Sequence, residues 1–342
     1  MIRVNGWDIG GANIKAAHLA RHGERISVET ASRPYEIWKD PTALVSVLKS
    51  VAAGLPLAGA TAVTMTAELS DVFRTKREGV GVVLDAIGAV APGPIAVFTT
   101  DGDFVDAAEG RARPLAVAAS NWMATARLVA RRVADALLVD IGTTTTDVVP
   151  IRGGCVVAAG RTDPERLLAG ELVYTGAVRT NVAAVTPRVP LRGGQCPVAS
   201  ELFAVSGDVH VLLGDLAPAD YTGSTPDGRA PTAEAAAERL ARVVCADVEM
   251  LAAAEVAAIA RAIADAQVRQ VAEAITRVAS GLPAPVDVIT TGLGSFLAHR
   301  AAASAGFSSR ALGEVLGVDV GWAAPAVAVA WLFAEARSSV GG

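Results

Sequence analysis

The 342-residue chain has few aromatic residues: phenylalanine, tryptophan and tyrosine make up 4% of it, against 52% hydrophobic residues in all. Its core must therefore be assembled from alanine, valine and leucine. Charged residues are scarce too, at 19%, which excludes a disordered, self-solvating chain. The three cysteines, Cys155, Cys196 and Cys245, are scattered without a Cys-x-x-Cys pair, so neither a zinc site nor a disulfide framework is expected. Long apolar runs are also missing. The longest, Ala323 to Ala334, is too short to cross a bilayer, and the stretch from Met250 to Ala266 is broken by Glu255, Arg261 and Asp265. The positive mean hydropathy reflects alanine, and no membrane association is expected. A formal charge of −5 argues against nucleic acid as a partner. The chain opens directly on an apolar strand with no signal-peptide pattern, so the expected location is cytoplasmic. Its length allows two domains.

What the chain does have is one segment written twice. An apolar strand runs into Asp8-Ile9-Gly10-Gly11-Ala12-Asn13-Ile14-Lys15. A second runs into Asp140-Ile141-Gly142-Thr143-Thr144-Thr145-Thr146-Asp147. Each strand ends on a carboxylate and turns back through glycine into another apolar strand. Such a turn presents a row of backbone N–H and hydroxyl donors able to surround a phosphate. A strand-end aspartate is placed to hold hydrated Mg²⁺ against that phosphate, because Mg²⁺ takes few carboxylates plus phosphate oxygens. Lys15 either reaches a phosphate or snorkels at the surface. A third element, Val286 to Ser295, reads as a strand running through Gly292 and Gly294 into a helix.

Along the chain, a strand pair is expected over 2–19, with helices over 41–53, 79–90 and 118–134 and short strands over 60–66 and 95–99. These make a first lobe of 1–135. A second lobe, 136–342, repeats the strand pair and ends on a helix over 323–336 that closes that lobe. Between 161 and 232 glycine, proline and turn residues dominate, which reads as an insertion reaching over a cleft. Thr232 is a candidate cap for the alanine-rich helices that follow.

Four polar clusters stand out. The segment from Thr64 to Lys76 packs Glu68, Asp71, Arg74 and Lys76 after a strand, the usual makeup of an α/β ligand site. Asp208 and His210 alternate with apolar residues, which on a strand puts both side chains on one face and suits proton transfer or metal-phosphate binding. Tyr174 and Arg179 lie in a glycine-bounded loop, and Asn121 opens a helix.

The two turns and the third element resemble the actin-like ATPase superfamily, which includes sugar kinases and the hydantoinase/oxoprolinase proteins. Several stretches are more specific: Trp7 to Lys15, Met65 to Leu69, Val139 to Asp147, Gly170 to Gly176 and Gly207 to His210. They resemble the hydantoinase/oxoprolinase-like group of tetrahydromethanopterin-linked one-carbon-transfer proteins, whose archaeal members include a synthase of methanofuran biosynthesis. The resemblance covers nearly the whole chain. It implies a two-lobed α/β actin-like (ribonuclease H-like) fold with a central cleft. It implies a transferase that condenses an aminomethylfuran-methyl diphosphate with the phenol of γ-glutamyltyramine or tyrosine and releases pyrophosphate. On this reading Asp8 and Asp140 organise Mg²⁺, and Gly10, Gly11, Asn13, Gly142, Thr143, Thr144 and Thr145 hold phosphate, with Gly292 and Gly294 nearby. Lys15 or Arg74 adds positive charge. Glu68, Asp208 or His210 is the base, and the three are not ranked. Asp71, Lys76, Asn121, Tyr174 and Arg179 are candidates for substrate contact. ATP is the less favoured ligand, as in a kinase of the same fold. A non-catalytic partner of one-carbon-transfer enzymes is the other alternative, and a homodimer is open.

Overall fold

The computed structural model describes residues 1–23, 25–91, 93–283 and 286–340. The first lobe contains β1 (Ile2–Ile9), β2 (Asn13–His22), β3 (Arg25–Pro34), α1 (Leu44–Ala52), β4 (Thr61–Met65), α2 (Lys76–Gly88), β5 (Ile95–Phe98), β6 (Phe104–Asp106), α3 (Ala107–Ala112), α4 (Pro114–Val117) and α5 (Asn121–Ala130). Its six strands form one sheet in the order β3-β2-β1-β4-β5-β6. Strands β1, β2 and β3 are an antiparallel meander, whereas β4 runs parallel to β1.

The chain continues through β7 (Ala136–Ile141), β8 (Thr146–Arg152), β9 (Cys155–Val156), α6 (Asp163–Ala169), β10 (Leu172–Val173), α7 (Val182–Val185), β11 (Arg188–Leu191), β12 (Gly194–Pro197) and α8 (Ser206–Leu213). After these come α9 (Ala233–Arg242), α10 (Ala253–Ala279), β13 (Asp287–Thr291), α11 (Ser295–Ser304), β14 (Ser309–Ala311), α12 (Leu312–Leu316) and α13 (Ala324–Val340). A second sheet has the order β10-β8-β7-β13-β14, with β9 beside β8. In both sheets an antiparallel hairpin carries a glycine turn, and a parallel strand lies on the hairpin's other side.

Apolar residues of α5 and α13 fill the space between the two sheets, in one cluster that includes Val4 and Leu19 on one side and Leu138 and Val149 on the other. Small residues make this possible. A Cβ at Gly6 would lie 2.1 Å from Ala326 O and 2.8 Å from Ala330 Cβ, so α13 can approach β1 only because nothing projects there. The outer face of the first sheet is covered by α1 and α2, and that of the second by α10 and α11.

Two expectations need correction, and a third is refined. The C-terminal helix does not close the second lobe; it packs on β1, β2 and β4 of the first-lobe sheet, its alanines closing on Gly6 of β1. The helix expected over 118–134 is shorter. Residues 118–120 are held instead as an extension of the sheet, by a Met65–Ala118 bridge and by the Ser120 hydroxyl, which donates to Phe98 O at 3.0 Å. The segment 161–232 is rich in turns but also carries regular elements. It holds α6, α7, α8 and the β11–β12 hairpin, and its apolar core is shared with α9 and α10. Among the described residues no helix is long and apolar enough to cross a membrane, and no disulfide forms, the three cysteines being free.

Candidate functional site

The two turns are built alike. Gly10 N donates to Asn13 O at 3.1 Å, and Gly142 N donates to Thr145 O at 2.9 Å. These N–H groups are used inside their own turns, so Gly10 and Gly142 shape the loops and have no free backbone donor for a ligand. Asp8 pairs with Lys15 across β1–β2, and Asp140 pairs with Asp147 across β7–β8. Lys15 Nζ lies 3.3 Å from Asp8 Oδ2, while Asp8 Oδ1 is buried without a hydrogen-bond partner, as is Asn13 Oδ1. Gly11 and Thr143 to Thr145 remain half-exposed at the turn tips.

The two turns are coupled electrostatically. Burial pushes the Asp140 carboxyl up to about 7; the charges of Asp147 and Asp8 push the same way, and Lys15 pulls against them. Charges of the first turn, Asp8 and Lys15, thus act on the carboxylate of the second. Asp147 is also raised by burial, against the opposing pull of Arg166. Among the described residues no group of three or more potential ligands could cage a metal alone. Two strand-end carboxylates, one with an unpartnered buried oxygen, fit a cation that takes its remaining ligands from phosphate and water.

Gly292 and Gly294 close the back of this site. A Cβ on Gly292, whose φ is +89°, would lie 2.4 Å from Asp140 Oδ1, and one on Gly294 would lie 2.4 Å from Ile141 Cγ2. Gly294 N donates to Ile141 O at 2.8 Å. The expected strand, glycine turn and helix are present, but these two glycines pack on the Asp140 strand end.

The second group of functional side chains starts at Glu68. The strand β4 ends and a 3-10 turn, Ala67–Leu69, carries Glu68 inward to 1% exposure. Gly79 of α2 packs on its backbone, where a Cβ would come within 2.6 Å of Glu68 Cα. Neither Glu68 oxygen has a hydrogen bond of ordinary geometry. Burial pushes its carboxyl up to about 7, against smaller lowering effects of nearby backbone N–H groups and Lys76. Lys76 reaches across the lobes to Asp163, at 2.7 Å. Ala119, among the groups facing Glu68, holds a φ of +49°, a strained conformation for alanine. Asn121 begins α5 and is half-buried, whereas Asp71 and Arg74 are exposed and Tyr174 is 62% exposed at the sheet edge.

Asp208 and His210 lie on the helix α8, not on a strand, and are fully buried. Arg239 Nε donates to Asp208 Oδ1 at 2.8 Å, and Val205 N donates to Oδ2 at 3.0 Å. His210 Nε2 donates to Gln267 Oε1 at 2.9 Å, and Gln267 Nε2 in turn donates to Thr175 Oγ1 and Gly176 O. Gly176 lies flush on the second turn, where a Cβ would come within 2.5 Å of Thr144. These side chains brace the loop behind the second turn; both Asp208 oxygens are paired, while His210 is held through Nε2 and its Nδ1, without a hydrogen bond, lies 3.5 Å from Asp215 Oδ2. A helix buried from Ser206 to Val211 shows no polar stripe, so its Asp-Val-His order looks like strand alternation.

Two further side chains, Asp147 and Arg166, belong to this region. Arg166, 1% exposed, donates to Asp147 Oδ1 at 2.8 Å and to Glu171 O at 2.9 Å, and stacks 4.0 Å over the Trp122 ring. Asp147 could have been found as the counterpart of Lys15 in the repeat; Arg166 carried no local signal. Three further contacts join the 161–232 segment to the first lobe. Arg179 Nη1 donates to Thr144 Oγ1 at 3.3 Å while its guanidinium sits 4.2 Å over the first-lobe Trp38 ring. Ser224 donates its hydroxyl to Glu36 at 2.7 Å, and Arg161 approaches Thr100 O at 3.5 Å. Depressions lined by Arg269, Glu273 and Arg277 and by Met1, Arg3 and Arg337 contain no residue of either turn.

Residues 59–336 match the hydantoinase/oxoprolinase family model. The chain is 35% identical over 332 residues to the (4-{4-[2-(gamma-L-glutamylamino)ethyl]phenoxymethyl}furan-2-yl)methanamine synthase of Methanocaldococcus jannaschii, covering 97% of each. It is 32% identical over 202 residues to the synthase of the same name from Methanococcus vannielii, covering 57% of this chain and 89% of that protein. Among solved structures it is similar to nucleotide-free acetone carboxylase, with a TM-score of 0.57 at 12% identity, covering 96% of this chain and 70% of that one. It is also similar to ethanolamine utilization protein EutJ from Carboxydothermus hydrogenoformans, with a TM-score of 0.50 at 15% identity over 97% and 90%. At such identities the structures speak for the fold alone, and it is the two-lobed actin-like fold.

Proposed function

The chain belongs to the hydantoinase/oxoprolinase family, and from that premise we propose that it is a transferase of methanofuran-type carrier biosynthesis. It condenses an aminomethylfuran-methyl diphosphate with the phenol of γ-glutamyltyramine, tyrosine being the second candidate acceptor. The observation that carries this reading is the 35% identity along 97% of the chain to a synthase whose named product contains a phenoxymethylfuran ether.

The chemistry asks for little covalent participation from the protein. The phenolic O–H gives its proton to a base, and the oxygen's electron pair forms the bond to the furfuryl carbon. The bond from that carbon to the diphosphate oxygen breaks, and its electrons leave on the diphosphate. A furan oxygen stabilises positive charge at that carbon, so the protein has to neutralise the leaving group and position the phenol. Asp8 and Asp140 would hold Mg²⁺, which supplies charge neutralisation at the diphosphate oxygens. Lys15 and Arg179 add cationic donors beside the turns, and Thr143 to Thr145 offer hydroxyls.

Glu68 is the base on this reading. Its carboxylate oxygens have no hydrogen bond of ordinary geometry, and a carboxyl raised to about 7 is matched to proton transfer near neutrality. Asp208 and His210 are set aside, since both are engaged in internal pairs.

The test is to mix the protein with Mg²⁺, the diphosphate and each phenol, and to look for the ether by mass spectrometry with pyrophosphate release measured in parallel. Ether formation that is lost in Asp140→Ala is the expected result. Mg²⁺-dependent ATP turnover with no ether from either acceptor would overturn the reading in favour of a kinase.

A further inference from the structure

Trp38 and Arg179 are each fastened to a different phosphate turn. On the first lobe, Tyr35 N donates to Ala12 O and Ile37 N donates to Gly11 O, both at 3.0 Å. The segment that carries Trp38 is thus hydrogen-bonded along the first turn. On the second lobe, Val178 N and Arg179 N donate to Thr143 O at 3.1 and 2.9 Å. The Arg179 side chain then crosses the cleft, touching Thr144 Oγ1 and lying 4.2 Å over the Trp38 ring. The only partner of its guanidinium besides that ring is a neutral hydroxyl 3.3 Å away among the described residues. A stack of this kind at a partly exposed position is worth about 0.5–1 kcal/mol. A guanidinium engaging phosphate in two parallel hydrogen bonds gains more than that.

The geometry points to a substrate subsite: Trp38 is the platform for the planar ring of the substrate, covered by Arg179 in the free protein and uncovered when a diphosphate between the turns takes that guanidinium. The ring attached to the diphosphate would then lie on the indole face that Arg179 has left. Aromatic faces prefer offset stacking at such distances. One group thereby binds the leaving group and opens the place for the ring beside it. The inference rests on the proposed diphosphate chemistry, since it needs a diphosphate seated at the turns.

The test uses the full-length protein with Mg²⁺ and two probes, inorganic pyrophosphate and the methylenebisphosphonate analogue of furfuryl diphosphate. Affinities come from calorimetry, and tryptophan emission is followed in the same titrations. Trp38→Ala removes the competitor for Arg179, so pyrophosphate should bind roughly two- to fivefold tighter, whereas the ring-bearing probe should bind about fivefold more weakly. Trp38→Phe, which keeps a ring, should lie between wild type and Trp38→Ala on both scales and should lose the wild-type emission change. Arg179→Lys should weaken pyrophosphate about tenfold. A Trp38→Ala protein that binds both probes more weakly, or neither differently, would overturn the inference while leaving the diphosphate site standing. If the wild-type protein binds neither probe, the diphosphate reading itself falls and takes the inference with it.

Discussion

Lys15 and Asp147 occupy the same place in the two halves of the molecule: each is the cross-strand partner of the aspartate that ends the preceding strand, Asp8 or Asp140. Only their charge differs. The first turn is compensated internally at 3.3 Å, whereas the second keeps two carboxylates and borrows a cation, Arg166, from the segment that follows. A bound metal–diphosphate would therefore meet a cation on one side and carboxylates on the other. Lys15→Met should raise the dissociation constant for Mg²⁺-pyrophosphate about tenfold, the loss of one charge-assisted contact. Lys15→Arg should recover part of it. An unchanged affinity in a calorimetric titration of Lys15→Met would show that the lysine serves only the strand pair.

Glu68 gives a pH signature of definite sign. Its carboxyl is raised from 4.5 to about 7 in the folded protein, so between those values the folded chain binds a proton that the unfolded chain has released. The stability it contributes is present below about 4.5 and is lost as pH rises through 7. At pH 8, Glu68→Gln should then be more stable than wild type, by on the order of 2 kcal/mol; near pH 4.5 the two should converge. The same variant should lose about 10²–10⁴-fold in kcat/KM and the rise of rate with pH near 7. A variant that is destabilised at pH 8, or that keeps that rise, would remove Glu68 from the base role.

Arg166 holds one carboxylate, one carbonyl and one indole face at 1% exposure. Arg166→Met leaves Asp147 buried without its cation, and such losses cost about 3–5 kcal/mol. Urea unfolding should report that loss, and the double variant Arg166→Met with Asp147→Leu should recover much of it, because the orphaned charge is gone. A single-variant cost below about 1 kcal/mol, as for an exposed pair, would contradict the buried pair described here.

Gly292 tests how tightly the third element is fitted to the second turn. With φ at +89° and Asp140 Oδ1 only 2.4 Å from a Cβ position, Gly292→Ala must both strain the backbone and push the Asp140 carboxylate aside. The expected cost is about 1–3 kcal/mol of stability, with Mg²⁺-pyrophosphate binding weakened about tenfold or more. Thermal unfolding and calorimetry read the two effects separately. Unchanged pyrophosphate binding would place Asp140 outside the phosphate site.

The amino-acid sequence by itself determined what depends on neighbours along the chain. The Asp-Ile-Gly turns, the strands that flank them and the strand-to-helix turn at Gly292 are local, because a strand-end carboxylate followed by glycine and hydroxyl residues has few ways to fold. Glu68 was legible as a polar residue just after an apolar strand. Tertiary structure alone decided which groups meet. Arg166 became a partner of Asp147 and Trp122 only through the docking of α6, and Trp38 met Arg179 only because two distant turns close on one cleft. The same holds for what had to be corrected. Asp208 and His210 looked like a strand pair because burial on every side erased the helical stripe, and α13 was given to the wrong lobe because the alanines that fit it to Gly6 of β1 carry no address in sequence. Periodicity records how much of an element is buried and on which face; the partner that buries it is set by shape complementarity between segments far apart in the chain.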